Sequence, residues 1–157
     1  MPHFILEYSD NLGQDDAAIQ SLFSDLYESA VGTGLFPAKG IRFRAYPCHQ
    51  YRIADGNPGH GFVHLEVKLG VGRALEDRKS AAELIFATLT AHLQPLIEVR
   101  GMAISFEMKE LEAVTKFNKN KPAPNKSNIC QCRQKPPPLL LRDVARHLEK
   151  TIRKKKS

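Results

Sequence analysis

A chain of 157 residues with 42% hydrophobic and 25% charged content has the size and composition of a soluble globular protein with one sizeable core. No apolar run approaches the roughly 20 residues that span a bilayer, and the start lacks the basic and apolar regions of a signal peptide. The net charge of +6 suggests an anionic partner, but residues 1–117 carry 11 Lys and Arg against 15 Asp and Glu, while residues 118–157 carry 12 against 2.

The chain begins MPHFILEYSD. His3–Tyr8 is strongly apolar and reads as an interior strand. Proline is tolerated as the first residue of a strand. It is also the one residue whose amine, once Met1 is removed, is secondary and able to do acid–base chemistry. The opening by itself leaves both readings standing. Asp10–Gly13 is turn chemistry. From Asp15 to Val31, the positions Ile19, Leu22, Phe23, Leu26 and Ala30 have the spacing of a helix with one buried stripe, ended by Gly32-Thr33-Gly34.

Ile41–Ile53 is extended, with Ile41, Phe43 and Ala45 alternating against Arg42, Arg44 and Tyr46. The run Asp55–Gly59 is a loop. Phe62–Leu69 is a second apolar strand, with Val63, Leu65, Val67 and Leu69 on one face. A second helix is predicted from Leu75 to Leu96, stopped or kinked near Pro95. Ala103–Met108 is the last strand. Two strand–helix–strand units follow in order, and helices of this length between strands imply parallel crossovers. The expected fold is therefore α/β, two β-α-β units with both helices on one face of a mostly parallel sheet.

The composition changes near residue 118, which sets the expected division: a domain over 1–118 and a basic, proline-rich tail over 119–157. The tail holds five of the ten prolines and is expected to be mostly disordered. Only the stretch from Leu139 has helical spacing, through Leu140, Val144, Leu148 and Ile152. Cys130-Gln131-Cys132 has no second pair at ligand spacing, so no zinc site is expected. With Cys48 these make three cysteines, too few and odd in number for a disulfide framework, and a cytoplasmic location is expected.

Candidate chemistry concentrates on arginines. Arg42 and Arg44 lie two apart on a strand and share a face. Arg73 follows Gly70-Val71-Gly72, where a strand hands over to a helix and backbone amides favour anions. A guanidinium suits planar carboxylates because its donors form a fixed fork. From spacing alone, solvated surface residues or weak ion pairs are the simpler reading of all three.

The stretches MPHFILEYSDN, TGLFPAKGIRFRAY, ADG at 54–56, FVHLEVKLGVGRALEDRK and ISFEMKEL, in this order over residues 1 to about 118, resemble the 5-carboxymethyl-2-hydroxymuconate isomerase family of the tautomerase superfamily. The resemblance implies paired β-α-β units, a homotrimer and a catalytic base at Pro2. It also implies substrate-binding arginines at Arg42 and Arg73, with Arg44 a weaker candidate. The implied substrate is a small-molecule polycarboxylate of homoprotocatechuate breakdown, and no cofactor or metal is required. Two alternatives accompany it. One is a different proline-dependent tautomerisation; the other is a non-catalytic tautomerase-like scaffold whose tail binds anions. No membrane partner is expected, and nucleic acid is not the expected partner of the tail.

Overall fold

The structure is a computed structural model and describes residues 1–119. Met1–Phe117 form one compact unit. The expectations for the tail, including its disorder, the helical spacing beyond Leu139 and the Cys130/Cys132 pair, fall outside the described residues.

Four strands and two long helices make the body: β1 (His3–Ser9), α1 (Asp16–Gly32), β2 (Arg42–Cys48), β3 (Gly61–Gly70), α2 (Leu75–Ile97) and β4 (Met102–Leu111). The sheet order is β2-β1-β3-β4. Each β-α-β unit is internally parallel, as the helical crossovers require, and the two units meet antiparallel through β1 and β3. The sheet is thus mixed, with two parallel pairings and one antiparallel.

The period-two pattern sets which face is buried. In the β1–β3 register Phe4 lies opposite Val67, Leu6 opposite Leu65 and Tyr8 opposite Val63, and all six side chains are buried. Helix α1 presents Ile19, Leu22, Leu26 and Ala30 to the same core, and α2 presents Ala81, Ile85, Leu89 and Leu93. Phe4 packs its ring against Phe43 and Phe36, with centroids 4.7 and 5.5 Å apart. Asp15 caps α1 by accepting from the Ala18 amide at 2.8 Å. A polar seam joins the helices: His92 Nδ1 lies 2.6 Å from Asp25, and the Thr88 hydroxyl donates to Ser29 at 3.0 Å.

Two boundaries differ from the sequence reading by three residues or more. Strand β2 stops at Cys48 rather than Ile53, because its only sheet partner among the described residues, β1, ends at Ser9, which pairs with Cys48. An edge strand has no ladder to follow beyond its neighbour. Strand β4 extends to Leu111, since all ten of its residues pair with β3. Its charged end, Lys109-Glu110, carries no apolar signal. Helix α2 ends at Ile97, two residues after Pro95 and one after the predicted Leu96, so it stops near the proline as its missing amide favours.

Candidate active site

Topology brings one end of every strand together. The first residues of β1 and β2 lie side by side because those strands are parallel, and His3 pairs with Arg42. The last residues of β3 lie at the same end because β3 runs against β1, and His3 pairs with Lys68. Gly70 then pairs with Leu111 at the end of β4.

Pro2 is buried at this end. Its carbonyl accepts from the Arg42 amide at 3.1 Å, the first rung beside the β1–β2 ladder. Proline therefore keeps its acceptor in the sheet while offering no amide proton. The turn Ala38–Gly40 closes over the ring. A Cβ on Gly40 would lie 3.5 Å from Pro2 Cδ and 3.2 Å from Pro37 Cγ, which leaves little room for a side chain.

The arginines are fixed by backbone carbonyls. Arg42 Nη1 donates to Ile41 O at 2.8 Å and to Lys39 O at 3.2 Å. Arg73 Nε donates to Leu35 O at 3.1 Å, and its Nη1 to Gly70 O at 2.7 Å. These bonds hold each guanidinium in one geometry without neutralising it. Among the described residues neither arginine has a carboxylate at ion-pair distance, whereas Lys68, Lys109 and Arg78 all do. Arg44 shares the sheet face of Arg42 but turns to a side chain and not to carbonyls: its Nη1 lies 3.5 Å from His3 Nδ1.

The electrostatic consequence falls on the N-terminal amine. In the chain as given this is the Met1 amine, and the Pro2 nitrogen is an amide. Burial, then Lys116, Arg73 and Arg42, hold the amine below its ordinary value of 8.0. Burial and then Arg44 likewise depress the His3 imidazole, with smaller effects of the amine, Arg42 and Lys116. Neutral His3 Nδ1 can accept from Arg44, which is consistent with that direction.

The three predicted residues Pro2, Arg42 and Arg73 thus gather at one sheet end, with Arg44 reaching it through His3. Sequence reading missed Lys116 and His3. Lys116 is 43 positions from Arg73, and only the full β3–β4 register reveals their proximity. Elsewhere, a cleft of about 380 Å³ between the helices is lined by Thr33, Leu35, Asp77 and Leu84, among others, and does not include Pro2.

The sequence profile of 5-carboxymethyl-2-hydroxymuconate isomerase matches residues 2–124. The chain belongs to that family. It is 39% identical over 120 residues to the 5-carboxymethyl-2-hydroxymuconate Delta-isomerase of Escherichia coli, covering 76% of this chain and 94% of that protein. The crystal structure of a 5-carboxymethyl-2-hydroxymuconate isomerase from Deinococcus radiodurans R1 superposes with a TM-score of 0.71 at 36% identity, covering 76% of this chain and 90% of that one. A fused 4-OT symmetric trimer shares only 15% identity but has a TM-score of 0.57 over 77% of this chain and 94% of that one. It shows a shared fold of the tautomerase type. This chain is accordingly an isomerase with the tautomerase fold, and the profile reaches six residues beyond the boundary at 118 drawn from composition. No helix among the described residues is long and apolar enough to cross a membrane.

Proposed function

We propose that the mature protein begins at Pro2 and isomerises 5-carboxymethyl-2-hydroxymuconate, with the Pro2 amine as base. Removal of Met1 turns the Pro2 amide into a secondary amine at the buried start of β1. In the free-base form this nitrogen takes the proton of the substrate's 2-hydroxyl. The electron pair released moves through the conjugated system as the C–O bond becomes a carbonyl. The protonated amine then returns a proton to a carbon further along, so no atom is gained or lost and the base is regenerated. Both transfers are acid–base steps without net oxidation, so the proposed reaction calls for no cofactor.

Arg42 and Arg73 would bind substrate carboxylates and stabilise the charge that develops on the 2-oxygen. The observation that carries this reading is the gathering of Pro2 with two arginines that have no acidic partner among the described residues, at an end where burial, then Lys116 and the same arginines, disfavour the charged form of the Met1 amine. The reading extends to a homotrimer in the cytoplasm acting in homoprotocatechuate breakdown. The fold shared with a trimeric fused protein supports the first of these and the family membership the last.

The test is a spectrophotometric assay of the dienol tricarboxylate on protein whose intact mass shows loss of Met1. Turnover is expected with that protein and not with chains that retain Met1. Full activity in a preparation where every chain keeps Met1 would end the amine-base mechanism.

A further inference from the structure

A third cation stands at this end of the sheet without an acidic partner among the described residues. Lys116 follows β4 by five residues and is half-buried. Its ammonium lies against Gly70: a Cβ built on that glycine would be 2.5 Å from Lys116 Nζ and 3.9 Å from Cε. Gly70 is also the residue whose carbonyl accepts from Arg73 Nη1. One glycine therefore lies in contact with two cations, and its missing side chain makes the space that Lys116 fills.

The contrast with the chain's other cations is informative. Lys109 lies 3.2 Å from Glu66 and also contacts Glu107, Lys68 lies 3.0 Å from Glu66, and Arg78 lies 3.7 Å from Glu110. Among the described residues no carboxylate comes within that range of Lys116. Like charges brought to one end of the sheet repel, and a bound anion relieves that repulsion. Lys116 is also among the groups that hold the Met1 amine and His3 below their ordinary values.

We propose that Lys116 is a third cationic substrate contact, gripping one carboxylate of a polycarboxylate alongside Arg42 and Arg73. This rests on the isomerase reading above and deepens it: three cations match a substrate with three carboxylates, so Lys116 favours tricarboxylates over substrates with fewer.

The experiment compares wild type, Lys116→Met, Lys116→Arg and Gly70→Ala, each with intact mass and thermal midpoint checked. Binding of propane-1,2,3-tricarboxylate and of succinate is measured by calorimetry, and KM and kcat are measured for the isomerase substrate. Lys116→Met should weaken tricarboxylate binding about 10-fold, the low end for a charge-assisted contact that is partly exposed, and succinate binding much less. KM should rise by a similar factor with kcat within about threefold. Lys116→Arg should restore most of the loss. Gly70→Ala should reproduce it, because the flexible end of Lys116 must move aside while its charge is kept.

Equal tricarboxylate affinity in wild type and Lys116→Met, including no measurable binding in either, overturns the proposal. Wild-type protein that binds the tricarboxylate through Lys116 but does not turn over the dienol would leave the proposal standing and defeat the isomerase reading instead.

Discussion

The two halves of the chain, β1–α1–β2 and β3–α2–β4, share a plan and use their ends differently. Because β1 and β3 are antiparallel at the centre, the two halves begin at opposite ends of the sheet. At one end Pro2 precedes β1, and its carbonyl takes the Arg42 amide at 3.1 Å. At the other end His60 precedes β3, and the Gly61 amide donates to Gly101 O at 2.9 Å just before β4. The local chemistry then diverges. His60 Nε2 lies 3.2 Å from Asp55, Arg100 Nη1 donates to Asn11 O at 2.9 Å, and Asn11 Nδ2 donates to Pro58 O and His60 O. Those groups stitch loops to the sheet. At the Pro2 end the arginines are held by carbonyls, which orient a cation without cancelling it. One end is taken up by hydrogen bonds between loops and sheet, whereas at the other the two arginines have no carboxylate partner among the described residues.

The sharpest break of this contrast is at the amine. Adding one residue ahead of Pro2, or acetylating its nitrogen, should lower kcat by about 10³-fold, within the range that a positioned acid–base group contributes. His60→Gln, the counterpart at the far end, should leave kcat within about twofold. Comparable losses from both changes would mean that the two ends are not chemically distinct.

The arginines give the next largest effect. Arg73→Ala and Arg42→Ala should each cut kcat/KM by about 10²-fold, since a lost charge-assisted contact to a carboxylate costs roughly 2–3 kcal/mol. Arg73→Ala also removes the bonds to Leu35 O and Gly70 O, so thermal midpoints belong beside the kinetics. Arg100→Ala should shift the midpoint and leave kcat/KM near wild type. A kinetic loss at Arg100 equal to that at Arg73 would assign the substrate to the wrong end.

How much of this was legible in the sequence follows from what each feature depends on. The helix stripes and the alternation in β1 and β3 are local, and they identified the residues that line the core. The end of β2 was not legible, because it is set by where β1 stops and not by residues 49–53. The end of β4 was hidden for a related reason: Lys109 is an ion-paired strand residue beside Glu66, and its charge reads as loop. Pro2, Arg42 and Arg73 were named through the family resemblance, since spacing alone left the arginines as ordinary surface residues. Lys116 depends on the β3–β4 register and on the space over Gly70, and no local pattern announces either.

The far end should respond to mutation in stability alone. Asn11→Ala removes two hydrogen bonds and leaves the carbonyls of Pro58 and His60 without that donor, a loss of about 1–3 kcal/mol. Urea unfolding measures it, and kcat/KM under folding conditions should be unchanged. A drop in activity without a drop in stability would show that this end communicates with the substrate.

The smallest expected effects are those of pH, and they also separate the ends. The N-terminal amine faces Lys116, Arg73 and Arg42, with His3 alongside, and no carboxylate is among the causes acting on it. A base works when neutral, so the rate rises with pH through its folded pKa. Burial and the cations that hold the Met1 amine below the ordinary 8.0 should act in the same direction on a Pro2 amine at this end of the sheet, so the acid limb of kcat/KM is expected below 8.0 and Arg42→Gln should move it upward. His3 supplies the matching stability effect. Its folded pKa is below the ordinary 6.5, so the unfolded chain binds more protons as pH falls through that value, and the fold loses stability. The carboxylates held below their ordinary values, Glu66 and Glu107, lose their contribution only at lower pH, below the ordinary 4.5. The N-terminal amine loses stability in the same sense as pH falls below the ordinary 8.0, and His3 adds its own loss below 6.5, so the difference between wild type and His3→Gln isolates the His3 part. Thermal midpoints of wild type and His3→Gln between about pH 7.5 and about pH 5.5 should show a smaller drop in the variant, by a few degrees at most. An equal drop in both proteins would show that His3 is not the group that titrates.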